Sequence, residues 1–485
     1  MMNSPVEMTA ASTEPTLEEI KRLLPWVVAV ALFMQQLDAT IVNTAIPTMA
    51  ASLHVPSLSL KAVVTSYTIG LAVIIPISGW VADRFGIRRV FAIAVGLFTL
   101  GSLLCGVSLN LPMLIASRVV QGMGAAIMMP VGRLALLITF PKSDMLRVMN
   151  FVIIPALLGP LLGPFMGGVI VHWMPWRMIF LLNLPFGALG LYLGWRYMPN
   201  RRDADAGKFD TRGFLLFGTG IALLSYVLEI FGEHRLQTGP IIALLAGSLV
   251  PLAGYVWHER RTINALMPLG LFGLRTFRIS VVGGFVTRLG ISGMPFLLPL
   301  LYQLGMGFEP WQAGLLTMPQ ALAAIGMKML TMPILAKLGH RRVLLLNTIL
   351  IGSMIMIFST VGRGTPVPVI ITMSLFQGLF SALQFTSMNS LAYADTSDAQ
   401  ASDASTVAST AQQLAISFGV ATSSLVTGWF LGGVDHSDPV LLIGALHHAF
   451  LALGTMTILS SFTFLGLQTD DGDNVSHHHA EPAEG

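Results

Sequence analysis

Apolar residues fill this chain in stretches of about twenty or more, separated by short breaks of Gly, Pro and charged residues. A helix of about twenty apolar residues crosses the roughly 30 Å of hydrocarbon in a bilayer. The pattern predicts fourteen such helices, near 23–46, 60–82, 90–108, 111–133, 148–171, 178–197, 213–231, 239–257, 278–303, 311–336, 342–362, 366–394, 404–431 and 441–467. The expected fold class is an all-α polytopic membrane protein. The first stretch follows Lys21 and Arg22, as a signal peptide would, yet it is too long for one and no small-x-small cleavage site follows, so it reads as an uncleaved helix.

Composition narrows the function. Of 485 residues, 54% are hydrophobic and 11% charged, which excludes a water-soluble enzyme. A single cysteine, Cys105, excludes an intramolecular disulfide, a thiolate cluster and a Cys-based zinc site. With no H-E-x-x-H, G-x-S-x-G, Walker loop or paired carboxylates, no catalytic residue, metal or cofactor is expected. His447 and His448 read as interface histidines, and His477 to His479 as part of a solvated tail. Nineteen of the 27 Lys and Arg fall on the N-terminus and the even-numbered connections; four, Lys61, Arg177, Arg235 and Arg363, fall on the opposite ones. The positive-inside rule then puts both termini in the cytoplasm. The net charge of +3 is an orientation signal, and no nucleic acid partner is expected.

An internal repeat divides the chain. Gly86-Ile87-Arg88-Arg89-Val90 recurs 253 residues on as Gly339-His340-Arg341-Arg342-Val343, and Gln121-Gly122 recurs at an offset of 256 as Gln377-Gly378. The reading is six helices, an inserted pair and six more. Its parts are a cytoplasmic N-terminal tail at 1–22, a first half at 23–197, a cytoplasmic linker at 198–212, the inserted pair at 213–257, a second linker at 258–277, a second half at 278–467 and a disordered tail at 468–485.

Several local patterns carry more. The run from Gly79 through Asp83, Arg84, Gly86, Arg88 and Arg89 has the spacing G-x-x-x-D-R-x-G-x-R-R, in which Gly79 is expected to allow close helix contact and Gly86 a tight turn. The first helix carries Leu37-Asp38-Ala39-Thr40-Ile41-Val42-Asn43 and ends at Pro47; the fourth carries Arg118-Val119-Val120-Gln121-Gly122-Met123-Gly124. The fifth carries Gly159, Gly163, Pro164, Gly167 and Gly168, small residues that let helices touch and a proline that bends one. Such a contact is expected to seal the outer side. Trp176-Arg177, Asn183-Leu184-Pro185 and Tyr302-Gln303 add further matches.

Together these motifs, spread over about residues 25 to 430, resemble the major facilitator superfamily and, within it, the fourteen-helix drug:proton antiporters of EmrB/QacA type. Two departures stand out: Ala336 where the second copy of the loop motif would carry its acid, and Ala62 where many members have tryptophan. The resemblance implies two pseudo-symmetric six-helix halves in a 6+2+6 arrangement, rocking about a central cavity. It also implies a conformational latch at Gly79, Asp83, Arg84, Gly86, Arg88 and Arg89, with Asp83 facing the helix that starts near Ala404.

Ionisable groups at membrane depth are costly and are functional candidates by default. Asp38 is the only acid well inside a helix, since Glu229 lies near an outer end. At about 1.5 Å per residue, Asp38 and Arg118 share a depth of roughly 10–12 Å below the outer edge, so an ion pair is geometrically possible. It can be a permanent bridge or a proton carrier; the resemblance carries a proton-coupling role onto Asp38, with Arg118 as its partner. Arg288 and Lys328 share a depth in the second half, with no deep acid there, and Arg133 lies near the inner face. The candidate substrate-binding residues are Gln35, Gln121, Arg288, Gln303 and Lys328.

The expected function is a monomeric proton-coupled antiporter in the inner membrane that exports small amphipathic compounds or drugs by alternating access, with the proton gradient as its energy source. The alternatives are a proton-coupled carrier of one anionic or zwitterionic metabolite and a non-transporting sensor or scaffold.

Overall fold

The computed structural model describes residues 16–202, 207–231, 238–262, 265–397, 400–432 and 438–476. The readings made for 1–15, for 477–485 with His477 to His479, and for Arg235 lie outside the described residues, as does the side chain of Glu229. Of the tail expected to be disordered, 468–476 instead packs on the bundle, where Asp471 accepts from Arg275 Nη2 and Asn474 Nδ2 donates to the Ala394 carbonyl. All the regular structure among the described residues is helical. The first half consists of α1 (Leu17–Leu53), α2 (Lys61–Ile74), α3 (Ser78–Phe85), α4 (Ile87–Gly106), α5 (Leu111–Thr139), α6 (Lys142–Trp173), α7 (Met178–Leu181) and α8 (Asn183–Tyr197). The inserted pair is α9 (Thr211–Phe231) and α10 (Thr238–Glu259). The second half consists of α11 (Arg275–Ile291), α12 (Met294–Leu300), α13 (Pro310–Ile357), α14 (Val367–Ala392), α15 (Ala401–Leu431) and α16 (Pro439–Ser460).

The helix ends follow local chemistry. Thr16 and Glu19 form a reciprocal capping box before α1: Glu19 N donates to Thr16 Oγ1 at 3.3 Å and Thr16 N donates to Glu19 Oε2 at 2.9 Å. Asn110 caps α5 by accepting from Met113 N at 2.9 Å. Among the described residues, twelve helical segments are long and apolar enough to cross a membrane. One of them, Pro310–Thr360, is divided at Gly339, whose φ of 74° no helix accommodates. Gly86 has φ of 93° at the matching place in the first half, so both copies of the repeat turn on a glycine where a side chain would be strained.

Two kinds of contact hold the halves. At the end of the bundle far from the chain termini, they share one apolar core that runs from Ile41, Ile46 and Val63 to Phe296, Tyr302 and Phe450. The glycines on α6 explain the approach. Gly159, Gly163 and Gly167 lie against Gln36, Thr40 and Ile41 of α1, while Gly168 meets the Pro310 carbonyl and Gly314 meets that of Pro164, across the two halves. Gln303 Nε2 donates to Thr44 O at 2.8 Å and Ser424 Oγ to Leu58 O at 3.2 Å in the same region. Toward the terminal end, each half has apolar clusters of its own. There α2, α9, α11 and α15 share a further cluster around Ala72, Phe217, Phe277 and Val407.

The inserted pair lies beside α2 and α15. Together α2, α5 and α9 wall an apolar cavity of about 510 Å³, lined by Ile69, Val73, Val119, Met123, Phe214 and Ala222 among others. On the terminal side, Trp80 Nε1 donates to Gly207 O at 2.7 Å, Arg88 Nε to Met198 O at 2.8 Å and Ile87 N to Arg201 O at 3.1 Å. The linker after α8 is thus fastened to the loop motif. Gly79 departs from expectation, because a Cβ there would meet nothing within 4 Å. No helix packs on that face in this arrangement, so the close contact expected of Gly79 is absent.

Candidate functional site

The densest polar cluster lies inside the first half. It forms because glycines let three helices converge: a Cβ on Gly101 of α4 would stand 2.6 Å from the Gln121 backbone, and Gly122 of α5 lies against the Tyr67 carbonyl of α2. Arg118 and Gln121, one turn apart on α5, then face Asp38 of α1.

All of these side chains are buried, and Asp38 is satisfied on both oxygens. Arg118 Nη1 donates to Asp38 Oδ2 at 2.6 Å; Gln121 Nε2 and Asn183 Nδ2 donate to Oδ1 at 2.8 and 2.7 Å. Arg118 also donates from Nη1 to Gln121 Oε1 at 2.6 Å and from Nε to Val63 O at 3.1 Å, with its guanidinium 4.2 Å from the centroid of the Tyr67 ring. Ser102 closes the set, accepting from Gln121 Nε2 at 2.7 Å and from Asn183 Nδ2 at 2.9 Å. A buried ion pair survives desolvation only with this kind of complete partnering. Three donors converge on one carboxylate, which matches its ionised, acceptor-only form. A proton on Asp38 would turn an acceptor into a donor and break part of the set.

The cluster reassigns one residue. Gln121, expected among the substrate contacts, is 0% exposed and its amide is spent on Asp38, Arg118 and Ser102. Sequence reasoning missed Asn183 and Ser102 as members. A lone Asn in an apolar stretch was the available signal for the first.

The other candidates are dispersed. Gln35 is buried, with Oε1 lacking a hydrogen-bond partner. Gln303 is spent on the Thr44 carbonyl and so joins the halves, in a short π-helical segment after α12. Arg288 is 5% exposed, whereas Lys328 is exposed on α13, so the two cations do not share one dry environment. Asp83, Arg84 and Arg89 of the loop motif are exposed, Arg88 is half-buried, and Ala404 is fully buried in the cluster around Phe277. His447 Nε2 meets the Val361 carbonyl at 2.7 Å and His448 stacks on Phe430 at 4.7 Å. No group of three or more metal-ligating side chains occurs among the described residues.

The second half repeats the packing without the charges. At the offset of 256, Arg118, Gln121 and Gly122 correspond to Ser374, Gln377 and Gly378. Gly378 again touches a carbonyl, that of Gln320, but neither polar side-chain atom of the buried Gln377 has a hydrogen-bond partner.

A family model described as Major Facilitator Superfamily matches residues 28–420. A protein from Pectobacterium carotovorum subsp. carotovorum is 42% identical over 407 residues, covering 84% of this chain and 87% of its own length. One from Cronobacter sakazakii is 38% identical over 450 residues, covering 93% and 95%. Both bear the name multidrug resistance protein MdtD. Among solved structures, a POT family transporter in complex with 5-aminolevulinic acid superposes with a TM-score of 0.68 at 16% identity, covering 93% of this chain and 96% of its own. A D-xylose-proton symporter does so with a TM-score of 0.65 at 15% identity, covering 93% and 99%. At such identities the likeness is one of fold.

Proposed function

We propose that this chain, which belongs to the Major Facilitator Superfamily, is a proton-coupled antiporter that exports small amphipathic compounds across the inner membrane. The observation that carries the reading is the buried cluster of Asp38, Arg118, Gln121, Asn183 and Ser102, where one carboxylate at membrane depth is held by three donors from two other helices, α5 and α8. Proton uptake by Asp38 would loosen α1 from α5 and α8, and proton release would restore the set. That is a chemical means of biasing one arrangement of the halves over another. The names of the MdtD relatives support drug-like cargo.

In this reading the chain crosses the membrane fourteen times. Gly339 divides α13 into two crossings and α10 supplies another, so both termini and the loop motifs face the cytoplasm, in keeping with the excess of Lys and Arg there. The two halves are 23–197 and 278–467. The shared far-end core is then the closed outer side, and the separate clusters flank a cavity open to the cytoplasm. Gln35, Arg288 and Lys328 remain the substrate-contact candidates. The protein acts as a monomer with no cofactor but the proton gradient.

The test is transport by purified protein in liposomes. An imposed pH gradient should drive uptake of a fluorescent amphipathic dye, and a protonophore should abolish it. Dye movement that ignores the gradient would refute proton coupling, and no movement or counterflow at all would favour the sensor reading.

A further inference from the structure

Among the described residues two arginines are buried, and they are treated in opposite ways. Arg118 has a carboxylate, an amide oxygen and a carbonyl as acceptors. Arg288, on α11, donates only from Nη2 to Asn389 Oδ1, at 3.2 Å, and stands 5.2 Å from the centroid of the Phe385 ring. Its Nε has no hydrogen-bond partner although the residue is 5% exposed, and no carboxylate pairs with it among the described residues. A buried guanidinium left in that state is unstable without a counter-charge.

Its neighbours supply none. Gly284 lies one turn before Arg288, and a Cβ on it would stand 2.6 Å from Nη1, so the guanidinium packs against bare backbone there and a side chain at 284 would displace it. Asn389 is exposed near the end of α14, so the side chain that accepts from Arg288 is itself reachable. Of the described acids in the second half, Glu309 lies just before α13 at the far end, and Asp395, Asp403 and Asp438 lie between helices or at helix starts; none of them pairs with Arg288. Lys328 on α13 adds a second, exposed positive charge. The first half pairs its buried arginine with an acid; among the described residues the second half does not.

We propose that Arg288 is the anchor for an anionic group of the cargo, so that the transported compounds are organic anions bearing a carboxylate, held by the free guanidinium edge. Arg and carboxylate match in planar geometry, and a charge-assisted bond in a site this dry is strong. This inference rests on the export reading above and narrows its substrate class. The Phe385 ring stacks beside the same group, which suits a cargo with an aromatic or conjugated carboxylate.

Fluorescein and rhodamine 123 test it, because they share a xanthene scaffold and differ in charge. Binding of each to the detergent-purified full chain is read by fluorescence anisotropy, and pH-driven movement of each is read in liposomes. The wild type should bind fluorescein more tightly than rhodamine 123. Arg288→Gln should weaken fluorescein binding about tenfold or more, with rhodamine 123 unchanged and Arg288→Lys retaining part of the affinity. Asn389→Asp should have the same effect while keeping the arginine, because it supplies the missing acid from the protein itself; this variant serves where Arg288→Gln does not fold. Equal fluorescein binding by wild type and both variants, or no fluorescein binding by the wild type, overturns the proposal. Rhodamine 123 export without fluorescein binding overturns it while the export reading stands. Arg288-dependent fluorescein binding with neither dye transported upholds the site and removes the export reading.

Discussion

Arg118 Nη1 lies 2.6 Å from Asp38 Oδ2, and the same nitrogen is 2.6 Å from Gln121 Oε1, so one guanidinium N–H group ties the carboxylate of α1 to the amide that also serves it. The three side chains form one hydrogen-bonded unit. Replacing one of them therefore tests the whole cluster.

Asp38→Asn should reduce proton-driven accumulation of dye in liposomes to the level of empty vesicles. It should leave the protein folded, because an asparagine oxygen still accepts from Arg118 and the Val63 and Gln121 contacts remain. Asp38→Glu should keep part of the activity, since it retains a titratable group with a longer reach. Accumulation by Asp38→Asn against a gradient would place the proton carrier elsewhere.

Asn183→Ala removes one donor to Asp38 Oδ1 and one to Ser102. Its expected cost is about 1–3 kcal/mol of stability, the usual consequence of stripping a partner from a buried charged group. Detergent-solubilised thermal unfolding measures it. The cost should shrink in an Asp38→Asn background, because the two residues share one network. Equal costs in both backgrounds would show that Asn183 acts on packing alone.

The meeting of Asp38 and Arg118 was legible in the sequence because one deep acid and one deep base stood at matching depths, and rise per residue is a property of any helix. Their lateral adjacency was not legible. It depends on Gly101 and Gly122, whose neighbours belong to other helices, and on Asn183, which is 145 residues from Asp38. Gln121 was misread for the same reason: a polar residue on a helix looks alike whether it faces a cavity or a carboxylate. The loop motif was legible at Gly86, where the turn is local, and not at Gly79, whose neighbour depends on how the halves stand.

Topology follows from the charge bias. A reporter fused after Gly485 and another inserted within 198–212 should both report the cytoplasm. A periplasmic signal from either would remove the fourteen-crossing arrangement.

Gly168→Ala places a methyl group on the Pro310 carbonyl, at the seam where α6 meets α13. Backbone cannot yield as a flexible side chain can, so the far end should open. A cysteine at Ser424, which donates to the Leu58 carbonyl when that end is closed, should then be labelled faster by a membrane-impermeant maleimide. Gly159→Ala is the control, because its clash with Gln36 lies within the first half. Equal labelling in the two variants would separate the seam from the closed state.

The latch prediction concerns the opposite end. In this arrangement Asp83 is exposed at the end of α3, and Ala404, at the start of α15, is buried in an apolar cluster. If the halves rock, closure of the cytoplasmic side would carry Asp83 toward the first turn of α15, where the positive end of a helix favours a carboxylate. Such an interaction exists in one state and is lost in the other, so it sets their relative populations. An exposed charge at a helix end contributes about 0.3–1 kcal/mol, which changes that ratio by a factor of about two to five. Asp83→Ala should therefore shift the protein toward the inward-open state, and Asp83→Glu should shift it less. Single cysteines placed on the cavity-facing side of α6 near its start and of α13 near Gly339 should be labelled faster in Asp83→Ala than in the parent, with a cysteine in the 198–202 linker unchanged as a control for general loosening. Labelling rates that stay equal at every position would mean that Asp83 serves the fold of its own loop and takes no part in setting which side is open.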